Sequence, residues 1–453
     1  MNPFAKTRLM AAFTLLIGCA VAHSAADPAQ LAKLGNELTP VGAQRAGDAS
    51  LGIPDWEGGV AEPPAGFVQG EHHRDPFPSD RPTRVLTRAN LSEHRDQLSA
   101  GQLAMFDRHP GYKMPIYPSR RSAAFPQRTY EYTLRNARTA QLAEGGDAVV
   151  GAAEGFPFPV PRSGHEAIWN HKLKYKGVGV ARWNNQAALT ANGSFNLVRL
   201  REEVLGLYYK PGSTIDSINN VLFYFFQSVE APPRLAGQVL LVHETLDQVS
   251  QPRQAWIYNP GQRRVRRAPN IAYDNPGTAS DGLRTNDMSD MFNGAFDRFD
   301  WKLLGKRVMY VPYNAYRLHS DQVTAEQILQ PGFVNPDLQR YELHRVWVVE
   351  ASLMPGKRHI NSRRTFYLDE DSWQIMLVDH YDGQGRLWRL SEAPSISYYE
   401  VPTFWSTLEI HNDLLSGRYL VSGLDNQESM VDFQFQATPG DFAPQSLRVS
   451  GIR

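Results

Sequence analysis

From Phe195 onward the apolar runs are short, and turn chemistry interrupts them again and again. Phe195–Glu203, Val221–Ser228, Gln238–Leu246, Gln254–Tyr258, Arg263–Arg267, Arg307–Tyr310, Tyr341–Ala351, Arg364–Leu368, Trp373–Tyr381, Leu387–Ser391 and Gln427–Gln436 all carry strand-type patterning. Between them lie turn signals such as Asp369-Glu370-Asp371-Ser372 and Asp382-Gly383-Gln384-Gly385. A crossover between parallel strands needs a dozen or more residues, so connections this short make neighbouring strands antiparallel. The pattern therefore predicts a large antiparallel meander and excludes a helical bundle. The 31 prolines, 35 glycines and an aromatic content of 11% point the same way.

The sharpest unit is the hairpin inside Arg253–Pro276. Gln254–Tyr258 is aromatic and β-branched, and Asn259-Pro260-Gly261-Gln262 is a turn in which Gly261 is expected to supply positive φ. The return strand, Arg263-Arg264-Val265-Arg266-Arg267, offers one apolar residue in five, so it reads as a solvated edge or outer strand whose charge blocks further pairing. The other use for Arg263, Arg264, Arg266 and Arg267 is contact with an acidic partner surface or a lipid headgroup, since guanidinium pairs well with carboxylate and phosphate.

The start of the chain reads as an export signal over residues 1–24. Lys6 and Arg8 precede the apolar run Leu9–Ile17, and Ala22-His23-Ser24 fits a small-residue cleavage site before Ala25. Leu16-Ile17-Gly18-Cys19 also fits a lipidation signal that would leave the chain anchored through Cys19, the single cysteine. Either route leads out of the cytoplasm, and simple cleavage leaves no thiol. No other run is long and apolar enough to span a bilayer. Export, with a formal net charge of zero, removes nucleic acid as a partner.

Residues 25–82 form an irregular arm, beginning with a helical pattern over Pro28–Glu37 and becoming Pro-rich after residue 61. Residues 83–453 are expected to form one domain. Within it, helices are predicted over Asn90–Asp107 and Gly164–Lys172, a strand over Thr129–Ala137, and a loop-rich segment over Ile271–Asp300 with a short helix near Asp287–Phe292.

Candidate chemistry is sparse. His72-His73 lacks the spacing of a helical metal site and reads as a solvated loop. His380 and Asp379 are neighbours on a strand and so point to opposite faces. Asp369-Glu370-Asp371 lacks the full pattern of a calcium loop and reads as a solubilising hairpin turn. No nucleophile elbow, zinc-protease helix or phosphate loop is present in the sequence. No catalytic residue, metal or cofactor is expected. The aromatic residues Phe223, Phe225, Trp256, Tyr258, Trp347, Phe366 and Trp388 are candidates to line a cavity on the concave face of the sheet.

Several runs resemble a bacterial exported family, the domain of unknown function 1329. They include Leu38-Thr39-Pro40-x-Gly42-Ala43-x-Arg45-Ala46-Gly47, Tyr117-Pro118-x-Arg120-Arg121, Pro157-Phe158-Pro159 and Trp169-Asn170-His171. Further along stand Tyr258 through Pro269, Tyr273-Asp274, Val311-Pro312-Tyr313-Asn314, His344 through Ala351 and Tyr367 through Trp373. The resemblance implies a mainly β fold with some α, an enlarged relative of the LolA/LolB half-barrel, in which a curved antiparallel sheet wraps helices around an apolar cavity. It implies periplasmic handling of a lipid-like or other hydrophobic molecule, together with a resistance-nodulation-division transporter and an outer-membrane protein. Two alternatives stay open: a non-enzymatic structural subunit with a self-plugged cavity, and an envelope hydrolase, which would need a nucleophile and base converging in a pocket.

Overall fold

The computed structural model describes residues 28–248, 251–269, 271 and 273–447, so the export segment and Cys19 lie outside the described residues. Sixteen strands join in one sheet. They are β1 (Arg84–Leu86), β2 (Met114–Ile116), β3 (Gly179–Trp183), β4 (Gln186–Leu189), β5 (Leu197–Gly206), β6 (Val221–Ala231), β7 (Val239–Thr245) and β8 (Gln254–Asn259). There follow β9 (Arg264–Arg267), β10 (Phe299–Pro312), β11 (Tyr341–Leu353), β12 (Arg363–Asp369), β13 (Ile375–Tyr381), β14 (Leu387–Glu392), β15 (Glu409–Asp413) and β16 (Tyr419–Ser422). The spatial order is β1-β2-β11-β12-β13-β14-β15-β16-β4-β5-β6-β7-β8-β9, with β10 on β11 and β3 on β5. Its two ends, β1 and β9, do not pair, so the sheet is open and not a closed barrel. Pairing is antiparallel throughout, apart from one parallel bridge between Tyr341 and Ile116.

Two runs of strands that pair with their neighbours in the chain, β4 to β9 and β10 to β16, meet at a seam where β16 pairs β4, from Tyr419 opposite Leu189 to Ser422 opposite Gln186. Each face of the sheet is covered. Asp379 on β13 and Leu390 on β14 are directly opposite and share a face. On that face lies α1 (Ala100–Arg108), whose first turn is held by the Asp379 carboxylate: Ser99 Oγ donates at 2.9 Å, Gly101 N–H at 2.9 Å and Ala100 N–H at 3.1 Å. An anion at a helix N-terminus satisfies amides that have no partner within the helix. The other face receives α3 (Gly164–Lys172), in which every residue except His165 is buried. Gly164 is required there, because a Cβ would stand 2.9 Å from the Trp301 carbonyl carbon and 3.0 Å from a Val349 methyl. Around α3 an apolar core forms from Trp169, Phe292, Phe296, Trp301, Val349, Phe366, Trp373 and Val378.

The arm is bound to this domain along its length. Arg121 donates to the carbonyls of Gln44, Arg45 and Pro54 while both its Nε and Nη2 hold Asp371, at 2.8 and 2.6 Å. Gly42 adopts φ +91 and lies so close to Pro159 that a Cβ would overlap its carbonyl oxygen.

The antiparallel architecture and the hairpin agree with the sequence reading, while several elements differ. Thr129–Ala137 is not a strand but part of α2 (Gln127–Thr139). Its buried residues, Thr129, Thr133, Asn136 and Ala137, fall at helical spacing but are small and polar, so apolar alternation misleads. Asn90–Asp107 is broken at Leu98 into a 3-10 turn over Leu91–Gln97 and α1, because Ser99 caps a fresh start. Only Pro28–Leu31 of the first predicted helix is helical. Gln427–Gln436 forms no strand, only the bridge between Asp432 and Ala181. In the hairpin, Gly261 does not have positive φ; Arg263 does, at 50°. The Asn259 side chain accepts the Gly261 N–H at 2.9 Å, which turns the chain early and leaves the left-handed residue at the end of the loop.

Candidate functional site

Alternation along four adjacent strands sets one patch of buried and half-buried side chains on the α3 face. Directly opposite pairs are Val180 with Val204, Arg182 with Glu202, Val204 with Phe225, Glu202 with Gln227, Phe225 with Val242, and Gln227 with Leu240. Opposite residues in an antiparallel pair share a face, so β3, β5, β6 and β7 together present Val180, Val204, Phe223, Phe225, Leu240 and Val242 as an apolar floor. Over this floor runs the segment from Ile271 to Asn293, and the end of α3 closes one side with Lys172. The partly open cavity measures about 160 Å³. Gln227, Leu240, Ile271, Thr278 and Asn286 also border a second recess of about 180 Å³. Arg253 and Ile271 border an open groove of about 700 Å³ beside the β8–β9 hairpin.

The covering segment is fastened by charge. Asp287 accepts from Arg364 at 2.7 Å and from His359 at 3.0 Å. Burial would raise the Asp287 carboxyl, but Arg364 and His359 outweigh it and hold the group far below the usual carboxylate range. Asp290 pairs with Lys176 and accepts from the Trp405 indole at 3.0 Å. Asp290 and Met291 both take left-handed φ, 51° and 65°, a strained conformation for such residues that these contacts stabilise.

Charges on the cavity wall are unevenly matched. Arg182 pairs with Glu202 at 2.9 Å, and Arg253 with Glu244 at 2.6 Å. Lys172, by contrast, donates to the Gly294 carbonyl at 2.9 Å and lies over the Trp169 and Phe296 rings, with no carboxylate paired to it among the described residues. Burial pulls its ammonium down to about 7. Arg284 also reaches the cavity without a carboxylate partner among the described residues, and its Nε makes no hydrogen bond. One carboxylate, Glu409, lines the wall with an unpartnered Oε2.

Of the seven aromatic candidates, Phe223 and Phe225 line the cavity. Trp256 and Tyr258 fall on the opposite face, in a cluster with Leu205, Leu241 and Phe442. Phe366 and Trp347 belong to the core around α3, where Trp347 stacks on Trp373 with ring centroids 6.1 Å apart. Trp388 donates to Asp413 at 3.0 Å and carries the Arg389 guanidinium over its ring. Arg264, Arg266 and Arg267 are exposed on β9, an edge of the sheet, with Arg263 exposed in the turn before it. Lys172 and Arg284 have no local sequence signal; they lie far apart in the chain and come to line one cavity only through the fold.

Other polar clusters are buried, contrary to the solvated readings. His73 lies in a loop, as expected, but is buried within it, and contacts His319 at 3.0 Å and Glu400 at 2.8 Å. Asp369, Glu370 and Asp371 form a turn but are all buried. His344, Asp369 and Asp371 bring ligand atoms within 4.8 Å of one another, the spacing of a metal site. Arg121 already holds both oxygens of Asp371, and His344 Nε2 lies 3.1 Å from Glu342, so a cation is already supplied by side chains. His380 sits inside too: its Nε2 is 2.9 Å from Ser391 Oγ, which is 2.8 Å from His411 Nδ1, with Glu409 Oε2 3.7 Å from His411 Nε2. These are the residue types of a hydrolytic triad. Ser391, however, is 1% exposed and lines none of the three spaces above, and burial holds both imidazoles low and neutral.

Among the described residues, no helix is long and apolar enough to cross a membrane. The family model "Protein of unknown function (DUF1329)" matches residues 85–448. Uncharacterized protein PA3922 of Pseudomonas aeruginosa is 48% identical over 444 residues, which is 98% of this chain and 97% of that protein. A DUF1329 family protein from Desulfovibrio piger aligns in structure with a TM-score of 0.44 at 13% identity, over 63% of this chain and 97% of that one. The LolA superfamily protein NE2245 from Nitrosomonas europaea aligns with a TM-score of 0.36 at 12% identity, over 60% of this chain and 93% of that one.

Proposed function

The chain belongs to the DUF1329 family, and from that premise we propose that it is a periplasmic carrier or adaptor, which holds a hydrophobic molecule on the open sheet and exchanges it with an envelope transporter. One observation carries the reading: Phe223, Phe225, Val204 and Leu240 form an apolar floor that the chain leaves only partly covered. Apolar surface withheld from the core gives up about 25 cal/mol for each Å² left in water, so a floor of this kind is retained for something that covers it. Carriage needs no bond chemistry. It needs an affinity between those of donor and acceptor, which a small, partly open cavity provides.

N-phenyl-1-naphthylamine, a neutral apolar probe, tests this directly. Saturable fluorescence enhancement is expected with the native protein and is expected to be abolished in Val242→Trp, which fills the floor. No enhancement by the native protein, with consistently empty protein in native mass spectrometry, would refute the carrier reading.

A structural subunit has its own supporting observation. Next to the cavity, the same face is filled by α3 and by Phe292, Phe296 and Trp301, so the chain plugs part of its own sheet. Under that reading the probe would not bind and the sheet would serve only as a scaffold.

A further inference from the structure

Resting on the carrier reading and narrowing its ligand, we propose that the cavity takes a single-chain amphiphile with an anionic head, a carboxylate or a phosphate monoester. Arg284 and Lys172 would hold the head, and the Phe223–Phe225 floor would hold the chain.

Arg284 is the main ground. Its side chain is 7% exposed, lines the cavity, has no carboxylate partner among the described residues, and encloses an Nε without a hydrogen bond. A buried guanidinium is costly unless its donors are satisfied. The surrounding backbone is nevertheless built to hold it in place. Arg389 donates to the carbonyls of Gly282 at 2.8 Å and Leu283 at 3.0 Å, and Ser280 Oγ donates to the Arg284 carbonyl at 2.9 Å. Gly277 leaves room for the guanidinium, since a Cβ there would stand 3.3 Å from Nε and 3.4 Å from Nη2. A fixed donor fork with open hydrogen-bonding capacity matches carboxylate and phosphate geometry.

Charge matching on the wall supports the sign. The Arg182–Glu202, Lys176–Asp290 and Arg253–Glu244 pairs are internally neutralised. What remains is Arg284 and Lys172 against Glu409, an excess of cation. Size limits the tail. About 160 Å³ holds one aromatic ring or a short length of chain, and the recess of about 180 Å³ and the open groove share wall residues with it. The cavity's own volume therefore suits one chain and not two side by side.

Displacement of N-phenyl-1-naphthylamine by decanoate, decyl phosphate and decan-1-ol, with acetate and inorganic phosphate as head-only probes, tests the assignment. Decanoate and decyl phosphate are expected to displace the dye at least about 10-fold more effectively than decan-1-ol. That preference is expected to vanish in Arg284→Gln, persist in Arg284→Lys, and grow in Glu409→Gln. Equal displacement by the alcohol and the anions would overturn the anionic head while leaving the carrier reading intact. Displacement by acetate or phosphate as good as by their decyl counterparts would overturn the amphiphile in favour of a free-anion site. Failure of the dye itself to bind would sink the carrier reading beneath it.

Discussion

Replacing Lys172 with methionine is expected to stabilise the protein. Lys172 is fully enclosed at the end of α3, and burial lowers its ammonium from the ordinary 10.5 to about 7. A depressed folded-state value means that the unfolded chain binds more protons between about pH 7 and 10.5, so the burden on folding grows as pH falls through that window. At about 1.4 kcal/mol for each pH unit, it is on the order of 4 kcal/mol at pH 7 and on the order of 1.5 kcal/mol at pH 9.5. Methionine fills similar volume without charge but leaves the Gly294 carbonyl without its donor, a loss of about 1–2 kcal/mol. The expected net gain is therefore about 2–3 kcal/mol at pH 7, fading to nothing near pH 9.5. Urea denaturation followed by tryptophan fluorescence, at both pH values and on both proteins, measures it. The same variant should lose affinity for decanoate. Destabilisation at pH 7, or a gain that does not change with pH, would refute the reasoning that burial disfavours the charged form of this lysine.

Three further outcomes are expected. Asp379→Ala removes the acceptor shared by Ser99, Ala100, Gly101 and Tyr367, and should cost about 3–5 kcal/mol in urea denaturation; a loss below about 1 kcal/mol would show that α1 does not depend on it. Arg121→Met leaves Asp371 buried without its guanidinium and frees three carbonyls of the arm, so limited proteolysis should cut within residues 44–56 at protease levels that spare the native chain; unchanged protection would argue against this clamp. His319 is held neutral, first by burial and then by His73 and His72, with its folded value far below 6.5, so its contribution is present above pH 6.5 and is lost as pH falls. Between pH 6.5 and 5 the native protein should lose about 2 kcal/mol relative to His319→Gln, and a difference that stays constant with pH would contradict the assignment.

The sheet was legible from the sequence wherever one face of a strand meets solvent or an apolar core. Alternation finds β7 and β8 almost to the residue and β6 but for its last three residues, and it places Phe223 and Phe225 on one face. It fails at β15, Glu409–Asp413, because every residue of Glu-Ile-His-Asn-Asp is buried although four of them are polar, which local patterning reads as loop. It recovers only part of β10, where Asp300, Lys302, Leu304 and Lys306 face outward and give the run the look of a surface segment. The cavity was half legible for a related reason. Its apolar floor comes from neighbouring strands with a visible period, whereas Lys172 ends a helix and Arg284 sits in an irregular segment. Nothing in a linear pattern indicates that two cations will face one space, since their meeting depends on Asp287 and Asp290 fastening that segment over the sheet.

The seam between β16 and β4 also sets the timing of folding. Each half of the sheet is a succession of local hairpins that can zip as soon as its residues are available, but Tyr419 must find Leu189 across about half the chain. Until the last short strand arrives, β4 and β15 both present unpaired backbone, each a template for the wrong neighbour. Folding of this chain is therefore expected to be gated by its final tenth, and a nascent chain halted ahead of Tyr419 would be a two-edged aggregation hazard even though nearly all of its hairpins had already formed.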